Sequence, residues 1–135
     1  MTIEAFEKLK KIIEKDLDLT EENMADKSLK IPILYTKYLD IYSKELKILK
    51  DKTLDRDKFH GDLYHKIKFE GEYKLDYAKE VEIYCNRDDE LYKKNQEIIF
   101  QTIVVKHIEE ILETIKSMGY TVKNYIEWRK FLAGG

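Results

Sequence analysis

Mostly apolar residues recur three, four or seven positions apart along the C-terminal third of the chain, and this spacing places them on one face of a helix. The stripe consists of Leu91, Ile98, Thr102, Val105, Ile108, Leu112 and Ile115. The helix is predicted to begin at Asp88, because acidic side chains suit the positive end of a helix dipole. Gly119 is predicted to end it, since glycine enters the left-handed cap conformation without a steric penalty from a Cβ atom.

A second, shorter helix is predicted from Thr121 to Leu132, so that residues 88–132 form a helix–glycine–helix unit. Further apolar residues widen the first helix's apolar face beyond what one partner helix would cover. They include Ile99, Phe100, Ile103 and Val104. The excess predicts a second partner for this face, either elsewhere in the chain or in another copy of it.

Two more helices are predicted in the N-terminal half. Residues 1–17 place glutamates early and lysines late, an order that matches the helix dipole. This helix is interpreted either as an arm that docks on a neighbouring subunit or partner, or as an ordinary helix packed on its own core. Residues 28–60 predict a long helix capped by Ser28, with Pro32 in the first turn, where a missing amide hydrogen does little harm.

Residues 61–87, in the middle of the chain, show the least regular pattern. Gly71 lies in a segment, residues 69–73, that predicts a turn, and the alternation from Val81 to Cys85 suits a short β-strand. No linker rich in proline, glycine or serine separates the predicted elements. Residues 1–135 are therefore predicted to form a single, mainly α-helical domain with an irregular middle.

Net charge, cysteine content and the length of apolar runs indicate where the protein acts and what it binds. A formal net charge of -2 weakens any argument for nucleic-acid binding that rests on charge alone. Cys85 is the only cysteine, which fits a reducing compartment. No apolar run approaches the roughly 20 residues that span a membrane. We expect a soluble, intracellular protein that does not bind a membrane.

Motifs that carry catalysis are missing from the sequence. It contains no glycine-rich phosphate loop, no CxxC and no HExxH. His60 and His65 are five positions apart, which places them on different sides of a helix, and His107 is interpreted as an ordinary boundary side chain. Acidic residues at the start of the last helix are explained by its N-terminus. We therefore expect no enzymatic activity, no catalytic residue, no metal site and no cofactor.

One run of residues interleaves cations with aromatic rings, as proteins that hold single-stranded nucleic acid commonly do. The candidate DNA-binding residues in it are Arg56, Lys58, Tyr64, His65, Lys66, Lys68 and Phe69. Neighbouring acidic residues, including Asp57 and Asp62, dilute the positive charge. Taken alone, the run therefore also fits the solvated end of a helix.

Several blocks of sequence resemble the UvsY recombination mediator family of T-even-type bacteriophages over roughly residues 28–133. The blocks are Leu29–Pro32, Leu34–Leu39, Ile115–Tyr120 and Ile126–Phe131. The resemblance implies a mainly helical, non-enzymatic protein of the infected host's cytoplasm that binds single-stranded DNA as a ring of six or seven copies. It also implies that the protein helps to load a RecA-like recombinase onto strands coated by single-stranded-DNA-binding protein.

The same resemblance points to a DNA-contacting region. In the family, basic residues precede an aromatic pair and a glycine, and a further basic residue follows that glycine. Gly71 fits the glycine, Lys68 and Phe69 occupy the place of the aromatic pair, and Glu72 stands where the following basic residue is expected. A different interpretation remains open, namely a helical scaffold or adaptor that binds only protein and makes no direct contact with DNA.

Overall fold

The computed structural model describes residues 1–134, and these form four α-helices and no strand. The helices are α1 (Ile3–Asp16), α2 (Met24–Glu70), α3 (Ala78–Asn86) and α4 (Asp89–Leu132). Two compact units are present: the first unit comprises Met1–Glu45 and the chain from Val104 onward, and the second unit comprises Leu46–Ile103. The mainly α-helical class is confirmed. The expectation of a single domain stays a prediction.

Local capping and charge explain α1, which the sequence predicts almost to the residue. The Thr2 side chain accepts a 3.1 Å hydrogen bond from the backbone N–H of Ala5, satisfying one free donor of the first turn. Glu4 lies in that first turn and Lys15 in the last, so both charges complement the helix dipole.

The start of α2 lies four residues before its predicted position. Thr20 and Asn23 cap each other, because the Asn23 side chain accepts from the Thr20 N–H at 2.8 Å and Thr20 Oγ1 accepts from the Asn23 N–H at 3.2 Å. Ser28 therefore lies inside the helix, and its hydroxyl donates to the carbonyl of Ala25. The predictions of a Ser28 cap and of Pro32 in the first turn are wrong, since Pro32 is an interior residue of α2.

In the first unit, α1 packs on its own chain. Three α1 residues that share one helical face, Phe6, Leu9 and Ile13, are buried. Phe6 meets the ring of His107 edge-on, with 5.4 Å between ring centroids. The other buried apolar residues of this unit are Tyr38, Val104, Val105, Ile108, Leu112, Ile115, Met118 and Val122. These contacts favour the packed helix over the free arm.

The second unit has its own smaller core, in which α3 supplies Val81 and Cys85 and α4 supplies Leu91. The side chain of Asp88 accepts a 3.0 Å hydrogen bond from the Leu91 N–H, which confirms Asp88 as the residue that opens α4. The partly buried residues packed against this core are Phe59, Leu63, Tyr64, Ile67 and Leu75.

The predicted strand over residues 81–85 is wrong, because these residues lie within α3. Val81 and Cys85 are completely buried and stand four positions apart, which is helical spacing. Ile83 lies between them and is exposed. The apparent alternation therefore arose from an apolar residue on the solvent side of a helix.

The predicted helix break at Gly119 is also wrong, since α4 continues without interruption to Leu132. Met118 and Val122 are both buried and continue the apolar stripe at a spacing of four. Of the glycines that the structure describes, only Gly134 has a positive φ, so Gly119 does not adopt a left-handed cap. Burial of the stripe outweighs the roughly 1 kcal/mol that an interior glycine costs relative to alanine.

Most of the predicted irregular middle is helical as well. The long helix does not end near residue 60 but continues to Glu70, because Phe59, Leu63 and Ile67 recur four apart and pack on the second unit's core. The predicted turn at residues 69–73 begins two residues late, since Phe69 and Glu70 are the last residues of α2 and residues 71–77 connect it to α3. Among residues 1–134, no helix combines the length and apolar character that a bilayer crossing needs.

Candidate nucleic-acid interface

All seven candidate DNA-binding residues lie on the C-terminal part of α2, inside the second unit. Lys58, His65 and Phe69 are seven and four positions apart, so they share one helical face, and all three are exposed. Lys66 lies next to this face and is exposed too. The helix therefore presents two lysines, an imidazole and a phenyl ring to solvent together.

These two lysines are not held in ion pairs. Neither Lys58 nor Lys66 makes a hydrogen bond or ion pair with another residue of the described chain. An acidic residue, Asp62, lies on the same face between them and weakens the local positive potential.

Lys68 lies between two rings at the end of the helix. Its Nζ atom is 5.6 Å from the ring centroid of Phe69 and 6.0 Å from that of Tyr64, distances at the outer limit of a cation–π contact. The His65 ring lies 4.8 Å from that of Phe69 at a tilt of 47°. Phe69 remains 67% exposed, so its ring stays accessible to solvent beside Lys68.

Arg56 differs from the other candidates. Its Nε atom donates to the carboxylate of Asp57 at 2.8 Å, and its Nη1 atom donates to the side chain of Asn95 at 2.7 Å. The side chain is partly buried, and both of these donors are already used inside the second unit. The structure therefore places Arg56 apart from the exposed lysines.

An aromatic pair that the sequence did not single out lies just beyond these residues. Tyr73 and Tyr84 stack with 5.9 Å between ring centroids, and the guanidinium of Arg87 lies 5.7 Å from the Tyr84 ring. The two tyrosines border a groove of about 200 Å³. It is lined by Ile67, Gly71, Glu72, Tyr73, Leu75 and Tyr84. The sequence did not reveal this pair, because the predicted strand includes Tyr84, whereas Tyr84 lies on α3.

Gly71 is required at its position by a close approach of backbone to backbone. A Cβ atom built there would lie 2.6 Å from the carbonyl oxygen of Ile67, closer than real Cβ contacts come. Glycine therefore allows the chain to leave α2 immediately beside Phe69 and turn toward Tyr73.

Two ion pairs join α2 to α4 within the second unit, and each holds one lysine. Lys94 donates to Asp55 at 2.6 Å, and this hydrogen bond, together with nearby carboxylates, raises the pKa of Lys94. Lys52 lies 3.7 Å from Glu97. Lys58 and Lys66, toward the C-terminal end of α2, are not held in such a pair.

His60, which the sequence left without a role, contacts α3. Its Nε2 atom lies 2.8 Å from a carboxylate oxygen of Glu82. The two side chains border a groove of about 270 Å³ that is also lined by Asp57, Gly61 and Tyr64. Cys85 is buried one turn along α3, where burial, and then the negative charges of Glu82 and Asp88, raise the pKa of its thiol.

The chain is similar to known proteins in sequence and in fold. The sequence model of the family described as "Recombination, repair and ssDNA binding protein UvsY" matches residues 12–135. No curated protein matches the chain.

Among solved structures, two crystal forms of the bacteriophage T4 recombination mediator protein UvsY are similar to this chain. The first has a TM-score of 0.82 at 19% identity and covers 93% of this chain and 96% of the T4 chain. The second has a TM-score of 0.81 at 20% identity, with 98% of each chain covered. At these identities the structural likeness concerns the fold.

Proposed function

The chain belongs to the UvsY family, and on this basis we propose that it is a phage recombination mediator that binds single-stranded DNA as a homo-oligomeric ring. In this role it helps to load a RecA-like recombinase onto strands coated by single-stranded-DNA-binding protein. It acts without catalysis, in the cytoplasm of the infected bacterial host.

The observation that carries this proposal is the end of α2, where Lys66 and Lys68 lie exposed beside the open ring of Phe69. Lysines follow the phosphates of a flexible strand while aromatic faces stack on its bases, each stack being worth roughly 1–3 kcal/mol. The Tyr73–Tyr84 pair and Arg87 extend this surface across the connection to α3. One protomer thus offers a small site with few phosphate contacts.

Assembly into a ring is supported by apolar side chains that the single chain leaves exposed. On α4 these are Ile99, Ile103, Tyr120, Ile126, Trp128, Phe131 and Leu132. Trp128 and Phe131 stack with 5.8 Å between ring centroids, which forms a continuous aromatic surface near the end of the helix. Large exposed apolar surfaces of this kind are typical of protein contacts.

A closed ring converts the weak single site into a strong one. Each copy presents the same patch, and a strand that engages one patch meets the next at a high effective concentration. Avidity then replaces a tight single site, which reconciles DNA binding with a net charge of -2. A strand held over several patches is loosened from its coat protein and presented to the recombinase.

The test is fluorescence anisotropy of a labelled single-stranded oligonucleotide over a series of salt concentrations. Replacing Lys66 and Lys68 together by alanine is expected to weaken binding and to flatten the plot of log affinity against log salt by about 0.7 for each phosphate that the variant no longer neutralises. The matched control replaces Lys8 and Lys11, two exposed lysines of α1. If the Lys66 and Lys68 variant binds the oligonucleotide no more weakly than the Lys8 and Lys11 variant, the DNA site lies elsewhere.

Light scattering coupled to size exclusion tests the assembly separately. We expect a mass of several protomers at micromolar concentration. A monomer that still binds the oligonucleotide tightly would contradict the avidity mechanism.

The second candidate function is a protein-binding scaffold that makes no direct contact with DNA. The exposed aromatic surface around Trp128 and Phe131 favours it, because such a surface also suits a different protein partner. The anisotropy experiment separates the two functions, since a scaffold gives no signal even at low salt.

A further inference from the structure

We propose that the second unit contains a divalent-cation site formed by His60, Glu82 and Cys85. One donor atom from each side chain takes part, and these three atoms all lie within 4.8 Å of one another. His60 Nε2 and a Glu82 carboxylate oxygen are already 2.8 Å apart. This proposal rests on donor geometry and does not depend on DNA binding.

The arrangement follows from how α3 packs on α2. Glu82 and Cys85 are three positions apart on α3, so both side chains lie on one face of that helix. Val81 and Cys85 are buried in the second unit's core, against α2 residues that include Leu63. This packing directs the Glu82–Cys85 face at His60 of α2.

The three donors suit Zn²⁺ better than Mg²⁺ or Ca²⁺. Imidazole nitrogen, carboxylate oxygen and thiolate sulfur are the usual zinc ligands, whereas the hard cations take oxygen ligands almost exclusively. Zinc lies about 2.0–2.3 Å from each ligand, so the donors of a tetrahedral site are roughly 3.3–3.8 Å apart. His60 Nε2 and the Glu82 oxygen are 2.8 Å apart and no two donors are more than 4.8 Å apart, so each separation differs from this range by about 1 Å or less.

Two of the three side chains are open to solvent, and the third is not. Cys85 is fully buried, while His60 and Glu82 are partly exposed and line the groove of about 270 Å³. Asp57 lines the same groove, where its carboxylate is paired with Arg56. A cation enters through this groove, displaces the thiol proton and keeps a water molecule as its fourth ligand.

A hydrogen bond between His60 and Glu82 accounts for two of the three donors without a metal. The thiol of Cys85 lies within 4.8 Å of both donors and takes no part in that hydrogen bond. A bound metal ion would use all three donors and would link α3 to α2 at His60.

The test uses full-length protein without a histidine tag, stripped of metal with a chelator and titrated with Co²⁺. We expect saturation at one Co²⁺ per protomer, with the near-ultraviolet thiolate-to-cobalt charge-transfer band and displacement by Zn²⁺. We also expect saturating Zn²⁺, at about one hundred times its Kd, to raise the Tm by roughly 5 °C or more. Absence of the charge-transfer band from the wild-type protein would overturn the proposal.

Variants assign the ligands. Cys85→Ser is expected to abolish the charge-transfer band, and Glu82→Gln to weaken Co²⁺ binding at least about tenfold. The matched control is Glu80→Gln, the same change at an exposed position of α3, which is expected to bind Co²⁺ like the wild type. Circular dichroism confirms that each variant is folded. Equal Co²⁺ affinity in Glu82→Gln and Glu80→Gln would refute the assignment.

Discussion

The hydroxyl of Tyr38 donates a 2.7 Å hydrogen bond to a carboxylate oxygen of Asp16. Tyr38 is fully buried in α2, and Asp16 is the last residue of α1. Lys37 donates to the same oxygen at 2.7 Å, and Lys27 donates to the backbone carbonyls of Lys15 and Asp16. The C-terminal end of α1 is thus held on α2 by a small polar network inside the first unit.

We expect Tyr38→Phe to reduce the free energy of unfolding by about 1.5–3 kcal/mol. The ring stays in place, so the reduction reports one hydrogen bond to a charged acceptor. Tyr42→Phe is the matched control, because Tyr42 is half-buried on the same helix and makes no hydrogen bond through its hydroxyl with any described residue. Its effect is expected to stay within about 0.5 kcal/mol. Urea denaturation measures both, and equal effects would show that the Asp16 contact adds no stability.

The pKa of Asp16 makes this network sensitive to acid. Burial alone would raise the pKa, but hydrogen bonds from Lys37 and Tyr38, with the charges of Lys37 and Lys27, outweigh burial and lower it below its ordinary value of 3.8. A lowered pKa in the folded state means that the stabilisation is present above the unfolded-state pKa and is lost as the pH falls through the folded-state pKa.

We therefore expect Asp16→Asn to be less stable than the wild type near neutral pH and to approach it as the pH falls below the unfolded-state pKa. The measurement is the free energy of unfolding of both proteins at several pH values. Asp18→Asn, at an exposed position two residues later, controls for the removal of one carboxylate. A difference between wild type and Asp16→Asn that stays constant down to the lowest pH would argue against this contact.

Helix ends that are marked by nearby charged or capping residues could be predicted from the sequence. Helix ends that depend on tertiary packing could not. Glu4 and Lys15 mark α1 by charge, and Asp88 opens α4 by capping, so each signal lies within a few residues of what it determines. At Gly119 the local signal indicated an end, but the buried stripe through Met118 and Val122 continued the helix. Tertiary burial decides there, and it cannot be seen in a window of a few residues.

The candidate site shows the same limit. Its lysines and rings could be found in one stretch of α2, since alternating cations and aromatics are adjacent in sequence. One partner of Arg56 is Asn95, 39 positions away, and the partner of His60 is Glu82, 22 positions away. Both contacts depend on how α2 packs against later helices, so the sequence could not separate Arg56 from the exposed lysines.

Gly119→Ala tests whether α4 is continuous. Glycine costs about 1 kcal/mol relative to alanine inside a helix, and nothing lies within 4 Å of a Cβ atom built at Gly119. We expect alanine to raise the free energy of unfolding by roughly 0.5–1 kcal/mol, with Gly119→Asn less stable than Gly119→Ala. A left-handed cap would reverse the order of the two variants, because asparagine tolerates that conformation better than alanine does. Thermal or urea unfolding distinguishes the two orders.

Gly71→Ala is expected to have the opposite effect to Gly119→Ala. The added Cβ atom would meet the backbone carbonyl of Ile67 at 2.6 Å, and since backbone cannot rotate away, the last turn of α2 must shift. We expect the free energy of unfolding to fall by about 1–3 kcal/mol. Phe69 and Lys68 lie in that turn, so under the proposed function the affinity for single-stranded oligonucleotide falls as well.

Gly61→Ala separates this steric effect from the general effect of replacing glycine. Gly61 lies inside α2 with nothing within 4 Å of a built Cβ atom, so alanine there is expected to stabilise the helix by up to about 1 kcal/mol. Opposite signs for Gly61 and Gly71 in the same denaturation assay would establish that the chain leaves α2 through a position where only glycine fits. If Gly71→Ala unfolds like the wild type and binds oligonucleotide equally well, neither the close approach nor the placement of Phe69 beside it determines DNA binding.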